Sequence, residues 1–204
     1  MREEPFGSWT RQPRLFSEQA LAALHDLNHR FLDLLGSHCG DWSRELGLPA
    51  EVTLQVAPLT AAERAAAANC PYALYDLRFH DDEHWRSCLS GGAQRRVADE
   101  TVQADTANFV RLALFYAWHM ASRPSLIAQL QLGMTEDTAA AFRSVTLNSL
   151  AALVATGARN LSPRWRTSAI FWRTLTSAAA SRDAASLRRI QLFGVQLAAA
   201  TRLP

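Results

Sequence analysis

The side chains able to do chemistry are few, and their types close several reaction classes at once. All 21 basic residues are arginine and none is lysine. Without lysine there is no Walker-A phosphate loop, no kinase strand lysine, no Schiff base and no Ser-Lys dyad. His80, His84 and Cys88 stand at i, i+4 and i+8, which lines them along a helix face as metal ligands stand, with Cys70 as a distant fourth. Structural zinc requires four convergent ligands, and neither a CxxC nor an HExxH accompanies these three, so the sequence predicts no metal. His25 and His29 repeat the spacing beside Asp26 and Arg30, which marks a solvated helix face. Gly36-Ser-His-Cys-Gly40 has the outline of a nucleophile elbow, but its centre is His38 and no strand feeds it. Cys39 and His38 are adjacent, a poor geometry for a dyad. His119, beside Trp118 in an apolar run, reads as a core histidine. The expectation is a non-enzyme with no cofactor.

Charge is more informative than the nucleophiles. Residues 1–100 carry 10 Arg against 15 acids, net −5, while residues 101–204 carry 11 Arg against 4 acids, net +7. From Thr138 onward there are 9 Arg and one acid, Asp183, giving +8 over 67 residues. Such a block suits nucleic acid, an anionic surface or the acidic half of the same chain. The candidate contacts for DNA or an acidic partner are Arg143, Arg159, Arg164, Arg166 and Arg173. If one helix carries them, Arg166 and Arg173, seven apart, share a face, and Trp165 and Trp172 form a neighbouring inward stripe.

The elements that must position these groups are mostly helices. The chain has 204 residues, net charge +2 and 49% apolar residues, enough for a sizeable core in one compact domain. The N-terminus lacks a signal-peptide h-region, the longest charge-free run is Ser144–Ala158, and three cysteines suit a reducing compartment. A cytoplasmic protein without a membrane span is expected. Residues 1–16 read as a tail, 17–96 as an acidic helical region, and 97–204 as a helical region with basic C-terminal helices.

Ser17 to Gly36 predicts an amphipathic helix, Thr60 with Glu63 a capping box, and Asp81-Asp82-Glu83 a further helix start. Val52–Val56 alternates as a strand does; Tyr72–Phe79 fits a strand or, by Pro71 at its start, a helix, the preferred reading. A long apolar helix is predicted over Ala98–Ser122, with Phe109, Phe115 and Trp118 at the centre of the core or of an oligomer interface. Short helices are expected over Ser125–Leu132, Thr135–Ser144 and Thr146–Thr156. A longer one opens with Ser162 and Pro163, and the last buries Leu187, Ile190, Gly194, Leu197 and Ala198. The fold class is all-α: a multi-helix bundle around a long apolar central helix, with at most one short strand pair near Val52–Phe79.

Residues 105–166 resemble the D subunit of the bacterial flagellar master transcription activator. The likeness rests on the long apolar helix, the Leu132-Gly133-Met134 corner followed by Thr135-Glu136-Asp137, the small-residue helix through Ser144, Thr146-Leu147, and Arg164-Trp165. It implies a helical dimerising chain that joins a second subunit on promoter DNA. The residues alone leave two readings: a transcription-regulator-like oligomer, homodimeric or with another protein, on DNA; or a helical adaptor or assembly protein that docks protein partners. The helix at Leu147–Thr156 has no Arg, Gln or Lys to reach base edges.

Overall fold

The computed structural model describes residues 17–37, 50–92 and 103–200. Among them are eleven α-helices and one two-stranded antiparallel sheet, an all-α fold. In chain order the first elements are α1 (Glu18–Ser37), α2 (Ala50–Val56), α3 (Ala61–Ala68), β1 (Tyr75–Asp76) and α4 (Asp82–Ser87), the last continuing as a wider turn through Gly92. Then come α5 (Ala104–Ala121), α6 (Ser125–Leu132), α7 (Glu136–Arg143), α8 (Leu147–Ala152), α9 (Val154–Asn160), β2 (Ser162–Pro163), α10 (Ala169–Ala180) and α11 (Ala184–Ala200). No helix of the described residues is long and apolar enough to cross a membrane.

The helix starts follow the expected caps. Ser17 Oγ accepts from Ala20 N–H, the Thr60–Glu63 box is closed in both directions, and Asp81, Thr135 and Thr146 each accept from the third following amide. α5 packs against α1 on one side and α6 to α9 on the other. A second layer forms where α10 meets α2, α3 and α11. Between the layers runs the segment from Cys70 to Phe79, in which Cys70, Tyr72, Ala73, Leu74, Tyr75, Leu77 and Phe79 are all buried.

Five expectations are corrected. Val52–Val56 lies within α2 rather than a strand: Thr53 and Val56, one turn apart, are buried, while Leu54, the residue alternation would place with Val56, is 65% exposed. Tyr72–Phe79 is not the preferred helix; the strand alternative holds only for Tyr75–Asp76. Tyr72 to Tyr75 are all buried; beyond them Leu77 and Phe79 are buried while Arg78 is exposed with a left-handed φ of 61°, and only Tyr75–Asp76 pairs, with Pro163 and Ser162. Ser162–Pro163 therefore belongs to a strand and does not open a helix; α10 starts six residues beyond Pro163, after Trp165 takes a left-handed φ of 52°. Gln103 is extended, so the long helix begins at Ala104; its expected first turn, 98–102, lies outside the described residues, as do His38 and Cys39. Gly157 falls inside α9 instead of ending a helix. A Cβ there would stand 2.7 Å from Val110 Cγ1, so its lack of a side chain lets α9 press onto α5.

Candidate functional site

A buried extended segment must find partners for every backbone group, because water cannot reach them. α1 supplies most of them through one side chain. Asn28 is fully buried; its Nδ2 donates to Ala68 O (3.1 Å) and Tyr72 O (2.9 Å), and its Oδ1 accepts from Leu74 N–H (2.8 Å). Gln131 O accepts from Ala73 N–H at 2.7 Å, and Leu74 O accepts from Arg164 N–H at 2.9 Å. The segment is thus clamped between α1, the end of α6 and the β2 connector. Asn28 is a position the sequence reading passed over, although a polar residue among Leu24, Leu27, Phe31 and Leu35 on one helical stripe was the available signal.

Arg164 holds the clamp's other side. Only 6% of it is exposed, and its Nη1 donates to Gln131 O (2.8 Å) and Leu130 O (3.3 Å) at the C-terminal end of α6. The guanidinium carbon stands 4.8 Å from the centre of the Trp165 ring. Burial pulls its pKa down to about 10, partly opposed by the nearby charge of Asp76, so it stays cationic at neutral pH. The other edge of the fork, Nη2 and Nε, faces Gly133, where a Cβ would stand 3.2 Å from Nη2. Gly133 also has φ +70°, the left-handed C-cap of α6, so glycine is required both for the turn and for leaving that edge uncovered.

Two concavities meet at a wall shared by Asp76, His80 and Trp165. The first, about 460 Å³, lies over Gly133 and Arg164 with Leu132, Met134, Gln129, Thr135, Glu136 and Ala198 around it. The second, about 560 Å³, is bounded by Arg78, Arg159 and Arg166, with Asn160, Ser162 and Thr167. Three guanidiniums and the carboxylate of Asp76 line this second hollow; Arg78 is paired with Asp81 at 2.5 Å, so its charge is already matched.

The five arginines singled out in the sequence are dispersed, and Arg166 and Arg173 do not share a face. Arg159 and Arg166 are exposed and come together on the basic hollow. Arg173 lines a different surface, beside Gln55, Ile170 and Ser177, because Arg166 precedes α10 rather than sharing it. Arg164 is turned inward, so it does not join a surface contact. Arg143 serves the fold: its Nη1 donates to Ala121 O at the end of α5 (3.1 Å) and its Nη2 to Glu136 (3.1 Å). Trp172, on the expected inward stripe, is buried and its indole N–H donates to Arg164 O at 2.9 Å.

Phe109 is buried, as expected of the central helix. Trp118 is half-buried, with its indole N–H donating to Val145 O at 3.2 Å. Phe115 is not part of the core. It is 37% exposed beside Leu112 at the same exposure, one turn earlier on α5. Leu147 is 54% exposed at the start of α8.

The possible metal ligands diverge. His80 is exposed and approaches Asp76 Oδ2 at 3.7 Å, whereas His84 Nε2 lies 2.6 Å from Asn160 Nδ2 and 3.6 Å from Cys88 Sγ. No group of three convergent ligands occurs among the described residues. Cys70, the distant candidate, is enclosed, and burial pushes its thiol up to about 12. His25 and His29 are half-buried rather than solvated: His29 bridges to Asp33 at 3.4 Å, and burial lowers the pKa of His25.

This is a helical fold holding a two-chambered groove, one chamber lined by Arg78, Arg159 and Arg166, the other floored by the buried guanidinium of Arg164. No protein family, curated protein or solved structure matches the chain.

Proposed function

We propose that the protein is a non-enzymatic helical adaptor, one that binds an acidic segment of a protein partner in the hollow bounded by Arg78, Arg159 and Arg166. The observation that carries this reading is the concave arrangement of those cations. A concavity of this kind accepts an extended chain bearing carboxylates, one of which the exposed Arg166 guanidinium can meet in bidentate fashion. A DNA duplex instead needs an element that protrudes into its major groove, about 12 Å wide. The segment that would do so, α8, has six residues, Leu147 to Ala152, of which only Asn148 and Ser149 carry side chains able to hydrogen-bond a base edge. The exposed pair Leu112 and Phe115 on α5 offers apolar area for a further protein contact, of a second copy or of another chain.

The test is titration of the full chain with an acidic peptide and, in parallel, with a promoter-length DNA duplex at several salt concentrations. The adaptor reading expects saturable peptide binding that weakens with salt and is lost in the Arg159→Gln/Arg166→Gln double variant. The DNA reading expects a duplex complex whose log affinity against log salt flattens by about two units in that variant. Duplex binding of this kind without peptide binding would replace the adaptor by the transcription-regulator reading that the resemblance implies.

A further inference from the structure

The chamber over Arg164 differs from the basic hollow in what it demands of a ligand. A buried guanidinium ordinarily has its charge matched by a carboxylate and its donors filled. Arg164 has only part of this. Its Nη1 is taken by two backbone carbonyls, but among the described residues no hydrogen bond is made by Nε or Nη2 and no carboxylate lies within ion-pair distance. The two unfilled donors are parallel and belong to one edge of the fork, the geometry that grips a carboxylate in bidentate fashion. The edge is accessible because residue 133 lacks a side chain.

The rest of the lining completes the description. Leu132, Met134, Trp165 and Ala198 give an apolar middle. Asp76 and Glu136 add carboxylates, each already in contact with its own chain: Asp76 Oδ1 accepts from Arg78 N–H at 2.8 Å, and Glu136 accepts from Arg143. A plain anion would be drawn to Arg164 and repelled by these two, while a cation would meet the reverse. A ligand carrying both charges satisfies all three. The volume, about 460 Å³, is within the range of small-ligand pockets.

We propose that this chamber binds a free amino acid with an apolar side chain, its carboxylate on the Nε–Nη2 edge of Arg164, its ammonium toward Asp76 and Glu136, and its side chain among Leu132, Met134 and Trp165. The site goes beyond the adaptor reading and does not depend on it, since its ligand, its charges and its decisive residue are different.

Calorimetric titration of the full chain with L-phenylalanine, L-leucine and L-methionine tests it, with 3-phenylpropanoate and phenethylamine as analogues lacking the ammonium or the carboxylate. Saturable binding of at least one amino acid is expected, with both analogues at least about tenfold weaker than L-phenylalanine if that is the ligand bound. Arg164→Met should abolish binding. Glu136→Gln, an exposed change that leaves folding intact, should weaken it about threefold, as loss of a solvent-facing charge contact does. Absence of saturable binding by all three amino acids, analogues that bind equally well, or binding that survives Arg164→Met overturns the proposal. If Arg164→Met fails to fold, unchanged affinity in Glu136→Gln overturns it by itself.

Discussion

Two buried polar side chains hold the same extended segment from opposite sides, and they are completed in different ways. Asn28 gives its two donors to Ala68 O and Tyr72 O and accepts from Leu74 N–H, so a side chain with one amide group has a backbone partner at each end. Arg164 donates from Nη1 only and keeps an edge turned to a chamber that water can enter. A completed buried polar group specifies structure; an incomplete one costs stability and is retained where a ligand completes it. On this physical ground Asn28 belongs to the fold and Arg164 to the site.

The largest effect that would break this comparison concerns Asn28. Replacement by leucine keeps the volume but leaves Tyr72 O and Leu74 N–H without a partner in the core, while Ala68 O keeps Cys70 N–H, at roughly 1–3 kcal/mol for each unsatisfied group. Asn28→Leu should therefore lose about 2–6 kcal/mol in urea unfolding, a large part of a typical domain's stability. Arg164→Met takes a donor from Leu130 O, while Gln131 O keeps Ala73 N–H, and it removes an unpaired buried charge and replaces it with apolar contacts. Its loss should stay under about 2 kcal/mol. Equal losses in the two variants would make Arg164 a structural residue and erase the distinction.

A smaller effect sharpens the contrast between core and surface on α5. A fully enclosed tryptophan truncated to alanine costs about 3–5 kcal/mol. Trp118 is only half-buried and makes one indole bond to Val145 O, so Trp118→Ala should cost about 2 kcal/mol. Phe115→Ala, at an exposed position of the same helix, should change unfolding by less than about 1 kcal/mol. Thermal or urea unfolding of the two variants side by side measures the difference.

The sequence was most legible where a local signal decides local structure. Caps at Ser17, Thr60, Asp81, Thr135 and Thr146 set helix starts, and the apolar length of α5 announced a central helix. It was least legible from Tyr72 to Phe79 and from Ser162 to Trp165, two stretches whose conformations depend on each other and on Asn28, more than 40 residues away. Their pairing is a long-range choice that periodicity cannot express. The arginine positions show the same division. A charge sum flagged the basic segment, yet a left-handed residue at Trp165 decides that Arg164 turns inward while Arg166 faces the hollow and Arg173 another surface. No spacing rule carries that information.

The smallest expected effect is on pH dependence, and it separates the two sides of the clamp again. His25 lies on α1 one turn before Asn28, and burial lowers its pKa against a backbone hydrogen bond with Cys70 that raises it. His84 lies beside the basic hollow, bonded to Asn160; burial lowers its pKa, Arg78 lowers it further and Asp81 opposes. Because both folded-state values lie below the ordinary histidine value of about 6.5, the unfolded chain takes up protons that the folded chain refuses as pH falls past that point. Stability from these two groups is thus present above about pH 6.5 and lost on acidification toward pH 5. The depressed carboxyls of Asp81, Glu63 and Asp183 act in the same direction only at lower pH, near and below the ordinary carboxylate range. Urea midpoints at pH 7.5 and 5.5 therefore isolate the histidines. The wild-type midpoint should fall between these pH values, and His25→Gln and His84→Gln should each flatten that fall. An acidic peptide seated in the basic hollow adds negative charge beside His84 and leaves His25 alone. With peptide bound, the His84 share of the slope should shrink and the His25 share should persist; equal shrinkage of both would place the peptide elsewhere on the molecule.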